Sequence, residues 1–260
     1  MTRTLRSVTL ACLLAGTLLA ADDPFVGKWK LNTVESKITG EQDKIVDLGA
    51  NKYKFIFGNM SETIVMDGTD QPLQFGAGTW ALKPEGSDTW KEVDKRDGKV
   101  TAEAAWKMSD DGKLLTIDVN GTRVDGSTFS NQIALKRVGG SGTGLAGTWQ
   151  STKVDLGAPL EFDIEPYESD GLSFMFPAEK DNLSMKFDGK EYSEQGPNVA
   201  AGSMSSGRRT SPNRLEVTSK IKGKEASKTE YVVSPDGKKL TLTIHEPGQM
   251  TPLTIVYDRM

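Results

Sequence analysis

Two carboxylates on one stretch of alternating residues are the side chains of this chain best suited to chemistry. Trp90, Glu92 and Asp94 alternate within a predicted β-strand, so their side chains share one face of it. The apolar Leu215 and Val217 of a similar later stretch align with this face, which predicts that it points inward. Two inward carboxyls with pKa values well above the ~4 of free carboxyls could act as an acid and base pair. Unpaired carboxylates are costly to bury, so the protein interior around them must then be wet, contain cations or bind a polar group. The alternative is a β-bulge that turns both side chains to solvent.

Other residues offer little for catalysis or metal binding. His245 is the only histidine, and strand alternation places it opposite Leu242 and Ile244, facing solvent. The segment 142–147 spells G-x-G-x-x-G, but it follows a glycine-rich linker and enters a strand, so it does not open the helix that a phosphate site needs. We therefore predict no metal, no cofactor and no catalytic residues, and an enzyme is the least favoured class of function.

The N-terminus predicts export. Residues 1–21 combine Arg3 and Arg6 with an apolar run and small residues at Ala20 and Ala21, the pattern of a secretory signal peptide. The only cysteine, Cys12, lies inside this segment, so the mature chain is predicted to have no disulfide. A periplasmic or secreted protein, cleaved near Ala20/Ala21, is the expectation.

The charge balance argues against polyanionic partners. The formal net charge is −4, and losing Arg3 and Arg6 with the signal peptide makes it −6. Nucleic acid and anionic membrane partners are therefore disfavoured. No later run reaches the about 18 apolar residues of a membrane helix, so no membrane span is predicted. The sequence indicates no particular protein partner.

The chain is a divergent tandem repeat. The segments 25–29 (FVGKW) and 145–149 (LAGTW) open two stretches that end alike at 133–137 and 255–259. Their internal Gly-Lys pairs, at 98–99 and 223–224, are offset by 125 positions. The predicted organisation is therefore a signal peptide at 1–21, one domain at 22–138, a linker at 139–144 and a second domain at 145–260.

Short alternating runs bounded by Gly, Asp and Asn recur along both copies, the pattern of an all-β protein. In the first copy the strands are predicted near 25–31, 52–58, 61–67, 71–82, 88–96, 99–108, 113–120 and 128–137. In the second copy they are predicted near 145–151, 171–176, 182–188, 190–196, 213–221, 224–233, 238–245 and 251–258. The least regular segments, 32–51 and 152–170, are predicted to be loops. About eight antiparallel strands joined in sequence should close into an up-and-down barrel in each copy.

Gly-x-Trp on the first strand with an Arg at the end of the last strand resembles the lipocalin and fatty-acid-binding-protein superfamily. The resemblance implies a lipocalin-like barrel in each copy, with the Trp closing one end and the Arg lying across its ring. It assigns this plug to Gly27, Trp29 and Arg137 in the first copy and to Gly147, Trp149 and Arg259 in the second. An indole face attracts a guanidinium, and a Gly allows close backbone approach, which agrees with those roles.

The sequence departs from that superfamily where a fatty acid would be bound. Fatty-acid-binding proteins hold the carboxylate with an Arg and a Tyr two apart on the last strand. Here Ile255 precedes Tyr257, and Ile133 precedes Leu135, so the Arg is missing from both copies. A bound fatty acid is therefore not expected.

The function favoured by the sequence is binding of a small, partly apolar ligand in a barrel lumen. The alternative is a structural or protein-interaction module whose barrels are filled by their own side chains. The inward face of the predicted strands supplies the candidate ligand-binding residues, which are Trp90, Glu92, Ala104, Trp106 and Leu135 in the first copy and Thr229, Tyr231 and Tyr257 in the second.

Overall fold

The computed structural model describes residues 23–140, 144–157 and 160–260. The predicted signal peptide and the central part of the predicted linker lie outside these ranges. Over the described residues the chain forms twenty β-strands and no helix, which confirms the all-β prediction. In this part of the chain, accordingly, no helix has the length and apolar character needed to cross a membrane.

The strands are numbered in chain order. The first ten are Gly27–Leu31 (β1), Gln42–Asp47 (β2), Lys52–Phe57 (β3), Met60–Val65 (β4), Gln71–Pro72 (β5), Thr79–Pro84 (β6), Thr89–Arg96 (β7), Lys99–Met108 (β8), Leu114–Thr122 (β9) and Thr128–Gly139 (β10). The other ten are Gly147–Leu156 (β11), Glu161–Tyr167 (β12), Gly171–Phe176 (β13), Asp181–Lys186 (β14), Tyr192–Ser193 (β15), Ser203–Ser211 (β16), Arg214–Ile221 (β17), Lys224–Val233 (β18), Lys239–His245 (β19) and Leu253–Arg259 (β20).

These strands form two antiparallel sheets of ten strands, each curled into a nearly closed barrel. The first barrel has the order β4-β3-β2-β11-β10-β9-β8-β7-β6-β5. The second barrel has the order β14-β13-β12-β1-β20-β19-β18-β17-β16-β15. Two antiparallel barrels were predicted, with about eight strands each; the difference includes β2 and β12, which lie in segments predicted to be loops.

The two barrels exchange their opening strands. Strand β11 pairs with β10 and β2 in the first barrel, whereas β1 pairs with β20 and β12 in the second. The sheets therefore do not divide at 22–138 and 145–260 as predicted. The reason is local: β10 and β11 are joined by the glycine-rich segment, where Gly140 and Gly144 adopt positive φ, and so they pair as a hairpin. Strands β10 and β11, which flank the predicted linker, are therefore neighbours in the first barrel.

Alternation along the strands builds one apolar interior in each barrel. On β8, Ala102, Ala104, Trp106 and Met108 are buried, and the residues between them are exposed. The interior of the second barrel is rich in phenylalanine, with Phe162 stacked against Phe174 and Phe176. Each copy therefore has its own core, completed by a strand from the other copy.

Side chains bridge the gap in the first barrel between β4 and β5. Gln71 accepts a hydrogen bond from the Val65 N–H and donates one to the Val65 carbonyl, both at 2.7 Å. The buried Glu62 accepts hydrogen bonds from the N–H groups of Gln74 and Phe75 at 2.9 and 2.6 Å. The carboxylate of Glu62 therefore has a structural role at this edge of the barrel.

Candidate functional site

The first barrel contains two neighbouring cavities. The inner cavity has a volume of about 280 Å³ and is lined by Asp43, Lys44, Ile45, Phe55, Phe57, Trp80, Glu92, Trp106, Ile117, Val119, Ile133, Leu135 and Trp149. The mouth cavity has a volume of about 490 Å³ and is lined on one side by Phe57, Phe75, Trp80, Glu92, Asp94 and Arg96. Phe57, Trp80 and Glu92 line both. Small-molecule sites have volumes of roughly 300–1,000 Å³, so the lumen has the size of such a site.

The second barrel supplies one wall of the mouth cavity. Ile221 and Ala226, around the β17–β18 turn, and Glu246 and Pro247, after β19, line it. Beside this wall, the Lys222 ammonium donates a hydrogen bond to the Gln74 carbonyl at 2.6 Å. The mouth of the first barrel is therefore shaped by both copies.

Glu92 is positioned by strand pairing to face the lumen. It lies opposite Ala104, and its Oε2 accepts a hydrogen bond of 2.5 Å from the Trp106 Nε1. Desolvation and, less strongly, the neighbouring Asp94 charge raise the pKa of Glu92 to about 7. The indoles of Trp106 and Trp80 lower this pKa in part, although the Trp80 Nε1 does not meet the geometry of a hydrogen bond.

Asp94 faces the same mouth cavity without a close partner. Among the described residues its carboxylate makes no hydrogen bond and no ion pair. Desolvation raises the pKa of Asp94, and the Arg96 charge opposes this rise. The strand does contain a bulge, between Asp94 and Lys95, but both carboxylates come before it. The alternative that a bulge turns them to solvent is therefore wrong.

Further carboxyls with raised pKa values lie where the barrels meet. Burial, Glu246 and Asp43 raise the pKa of Glu41 to about 7. Burial and Glu246 raise the pKa of Asp43 to about 6, against a hydrogen bond from Gln249. The Gln249 side chain also bonds both the N–H and the carbonyl of Gln42, which ties β2 to the second barrel. Among the described residues, no group of three or more His, Cys, Asp or Glu has a geometry that could hold a metal ion.

The second barrel lacks the charged residues of the first. At positions 125 residues later, Val217, Ser219 and Ile221 stand where the first barrel has Glu92, Asp94 and Arg96. Its cavity is smaller, about 180 Å³, and is lined mainly by aromatic and aliphatic side chains, with Asp181 and Glu194 as its carboxylates. The carboxylate pair on β7 is therefore specific to the first barrel.

Not all of the predicted ligand-binding residues line these cavities. Glu92, Trp106 and Leu135 line the inner cavity of the first barrel, and Tyr231 lines the cavity of the second. The others, Trp90, Ala104, Thr229 and Tyr257, are buried but line none of these cavities.

The structure adds lumen residues that sequence reasoning missed. Phe55 and Trp80 point into the lumen, and their rings meet edge to face with centroids 4.8 Å apart. Alternation within the predicted strand at 71–82 was a usable signal for Trp80. Trp149 could not be assigned to this lumen from sequence because it arrives on the exchanged strand.

Each barrel has the predicted Trp and Arg plug, but each Trp is covered by the Arg of the other copy. Arg259 lies over the ring of Trp29, and Arg137 over that of Trp149, each 4.1 Å from the centroid. The predicted pairs Trp29 with Arg137 and Trp149 with Arg259 are therefore wrong, because β1 and β11 are exchanged. A Cβ on Gly27 or Gly147 would lie 2.4 Å from a guanidinium nitrogen of Arg259 or Arg137, respectively, and both glycines have positive φ. Glycine at these positions therefore makes room for the arginine.

Comparisons of the chain with protein-family models, curated proteins and solved structures find no match. The geometry of the first barrel is therefore the basis for assigning a function.

Proposed function

We propose that this protein binds a small, partly apolar molecule in the lumen of the first barrel and performs no chemistry on it. The inner cavity carries this proposal, because it is lined by aromatic and aliphatic side chains with few polar groups. Such a lining is typical of small-molecule sites. The resemblance to lipocalins and fatty-acid-binding proteins, and the predicted signal peptide, support an exported binding protein of that general type.

The second barrel favours a different role for its half of the chain. Its cavity is smaller, and Phe162, Phe174 and Tyr231 fill much of the interior, with the Phe174 and Tyr231 ring centroids 5.6 Å apart. We propose that it acts mainly as a scaffold that holds one wall of the first barrel's mouth. The interaction-module alternative therefore applies to this barrel more than to the first.

One observation supports an enzyme as the second candidate function. Glu92 and Asp94 face the lumen with raised pKa values, and a carboxyl with a pKa of about 7 can act as a general acid or base at neutral pH. Binding remains the proposal, because the inner cavity next to these carboxyls is lined mainly by aromatic and aliphatic side chains.

Titration with the neutral probe N-phenyl-1-naphthylamine, followed by its fluorescence, tests binding in the lumen. We expect saturable binding, weakened in Trp106→Ala by about 1–3 kcal/mol, the usual loss for one good aromatic contact. Tyr231→Ala is the matched control, because Tyr231 is the counterpart of Trp106 in the second barrel. Equal weakening in both variants, or binding unchanged in Trp106→Ala, would place the site elsewhere.

A further inference from the structure

We infer that the ligand of the first barrel is an organic amine, with its cationic head group held by Glu92 and Asp94 in the mouth cavity and its apolar body in the inner cavity. This inference rests on the proposed function, because it assigns a chemical class to the ligand of that same site. It predicts a preference among small molecules that share one apolar body and differ only in the head group.

The charge of the mouth cavity favours a cation. Its lining carries four carboxylates, from Glu62, Glu92, Asp94 and Glu246, and one cationic side chain, Arg96. Glu62 is already satisfied by two backbone N–H groups. The carboxylates of Glu92 and Asp94 thus remain available to a ligand. An anionic head group would face an excess of like charge here.

Unsatisfied polar atoms converge on the same space. Among the described residues, neither the Glu92 Oε1 nor the Asp94 carboxylate accepts a hydrogen bond. Two buried donors that line the mouth cavity, the Trp80 Nε1 and the Arg96 Nε, have no partner with the geometry of a hydrogen bond in the described part of the chain. Because buried polar groups normally have hydrogen-bond partners, these two donors need an acceptor, whereas the carboxylates of Glu92 and Asp94 need a donor. A ligand with an ammonium group and an acceptor atom beside it would supply both.

The aromatic walls suit an ammonium group as well. Phe57, Phe75 and Trp80 line the mouth cavity, and aromatic faces attract cations. The chain itself provides an example at this rim, where the Lys224 ammonium lies 5.0 Å from the centroid of the Phe75 ring. A ligand amine between aromatic faces and carboxylates would make the same kind of contact.

Binding of an amine should depend on pH through the carboxylates that face it. The charged neighbours of Glu92 in the mouth cavity are Asp94, Arg96, Glu62 and Glu246. In the inner cavity the charged neighbours are Asp43 and Lys44. Desolvation raises the pKa of Glu92 to about 7, so in the empty site this carboxyl is largely protonated at pH 5.5. An alkyl amine stays cationic over this range, so its affinity should fall between pH 8 and pH 5.5.

Displacement of N-phenyl-1-naphthylamine from the full chain by octylamine, 1-octanol or octanoate tests the inference, because the three share one apolar body. At pH 8 we expect octylamine to displace the probe at about tenfold lower concentration than 1-octanol, as for one charge-assisted contact, and octanoate to be the weakest. At pH 5.5 octylamine should lose much of this advantage, so the concentrations at which octylamine and 1-octanol displace the probe should become similar.

Variants separate the head-group contact from general effects. Glu92→Gln, or Asp94→Asn as a second variant, should bring octylamine to the level of 1-octanol and leave 1-octanol unchanged. Glu103→Gln is the control, because Glu103 lies on the neighbouring strand β8, exposed and paired with Lys91. If 1-octanol or octanoate binds as tightly as octylamine, the amine inference is overturned and the binding function stands. If neither the probe nor any of the three binds, the proposed function itself fails.

Discussion

Replacing Glu92 with Gln should stabilise the protein at high pH and not at low pH. The folded-state pKa of about 7 lies above the ordinary 4.5 because burial disfavours the carboxylate. A carboxyl with a raised pKa binds more protons in the folded state, so it lowers stability as pH rises from about 4.5 to 7. A shift of about 2.5 pKa units corresponds to about 3 kcal/mol of lost stability above pH 7. Gln stays neutral and can still accept the hydrogen bond from Trp106, so the variant avoids this loss.

Urea unfolding of the wild type and Glu92→Gln at pH 5 and pH 8 measures this effect. The stability difference in favour of the variant should grow by about 2–3 kcal/mol from pH 5 to pH 8. Glu41, Asp43 and Glu246 also have raised pKa values, but they are present in both proteins and cancel in the difference. The Glu103→Gln variant, which changes an exposed carboxylate, should differ from the wild type in stability by the same amount at both pH values. A difference that is the same at both pH values would refute the burial of the Glu92 charge.

Two further predictions concern the exchanged strands. Trp29→Ala should lower the free energy of unfolding in urea by about 3–5 kcal/mol, as for other buried aromatics. The NMR signals that move should belong to the second barrel, residues 160–260, and not to the first, residues 42–156. A loss below about 1 kcal/mol would contradict the plug role. After cleavage at a protease site introduced at 141–143, the two fragments should elute together in size-exclusion chromatography. The reason is that β1 lies in the second barrel and β11 in the first. Separate elution would mean that the barrels do not share these strands.

The repeat predicted the fold better than it predicted the connections. Trp29 and Trp149 follow the same Gly-x spacing, and Arg137 and Arg259 end equivalent strands, so the sequence is equally compatible with exchanged and unexchanged pairs. The choice depends on which strands the glycine-rich segment brings together, which is a property of the folded chain.

The missed strands have weak or mixed local signals. Strand β2 offers only Ile45 and Val46 as apolar residues among polar neighbours, and its pairing with β3 and β11 makes it a strand. Strand β12 does alternate, with Phe162 and Ile164 buried, but Pro166 and three acidic residues weaken the pattern. Strand identity here depends on long-range pairing more than on local preference.

The candidate site was predictable where it depended on strand alternation alone. The inward direction of Glu92 follows from its alignment with Val217, which is buried in the second barrel. The wall contributed by Glu246 and Pro247 was not predictable, because it comes from a loop of the other barrel, more than 150 residues away in sequence.

The indole N–H signals of the five tryptophans test binding in the first barrel's lumen most directly. In ¹H–¹⁵N NMR spectra of the full chain titrated with octylamine at pH 8, the indole signals of Trp80 and Trp106 should shift in a saturable manner. The Trp29 indole, which donates to the Phe25 carbonyl in the second barrel, should not shift. Unchanged Trp80 and Trp106 signals at saturating ligand, or a shift confined to Trp29, would contradict a ligand site in the first barrel.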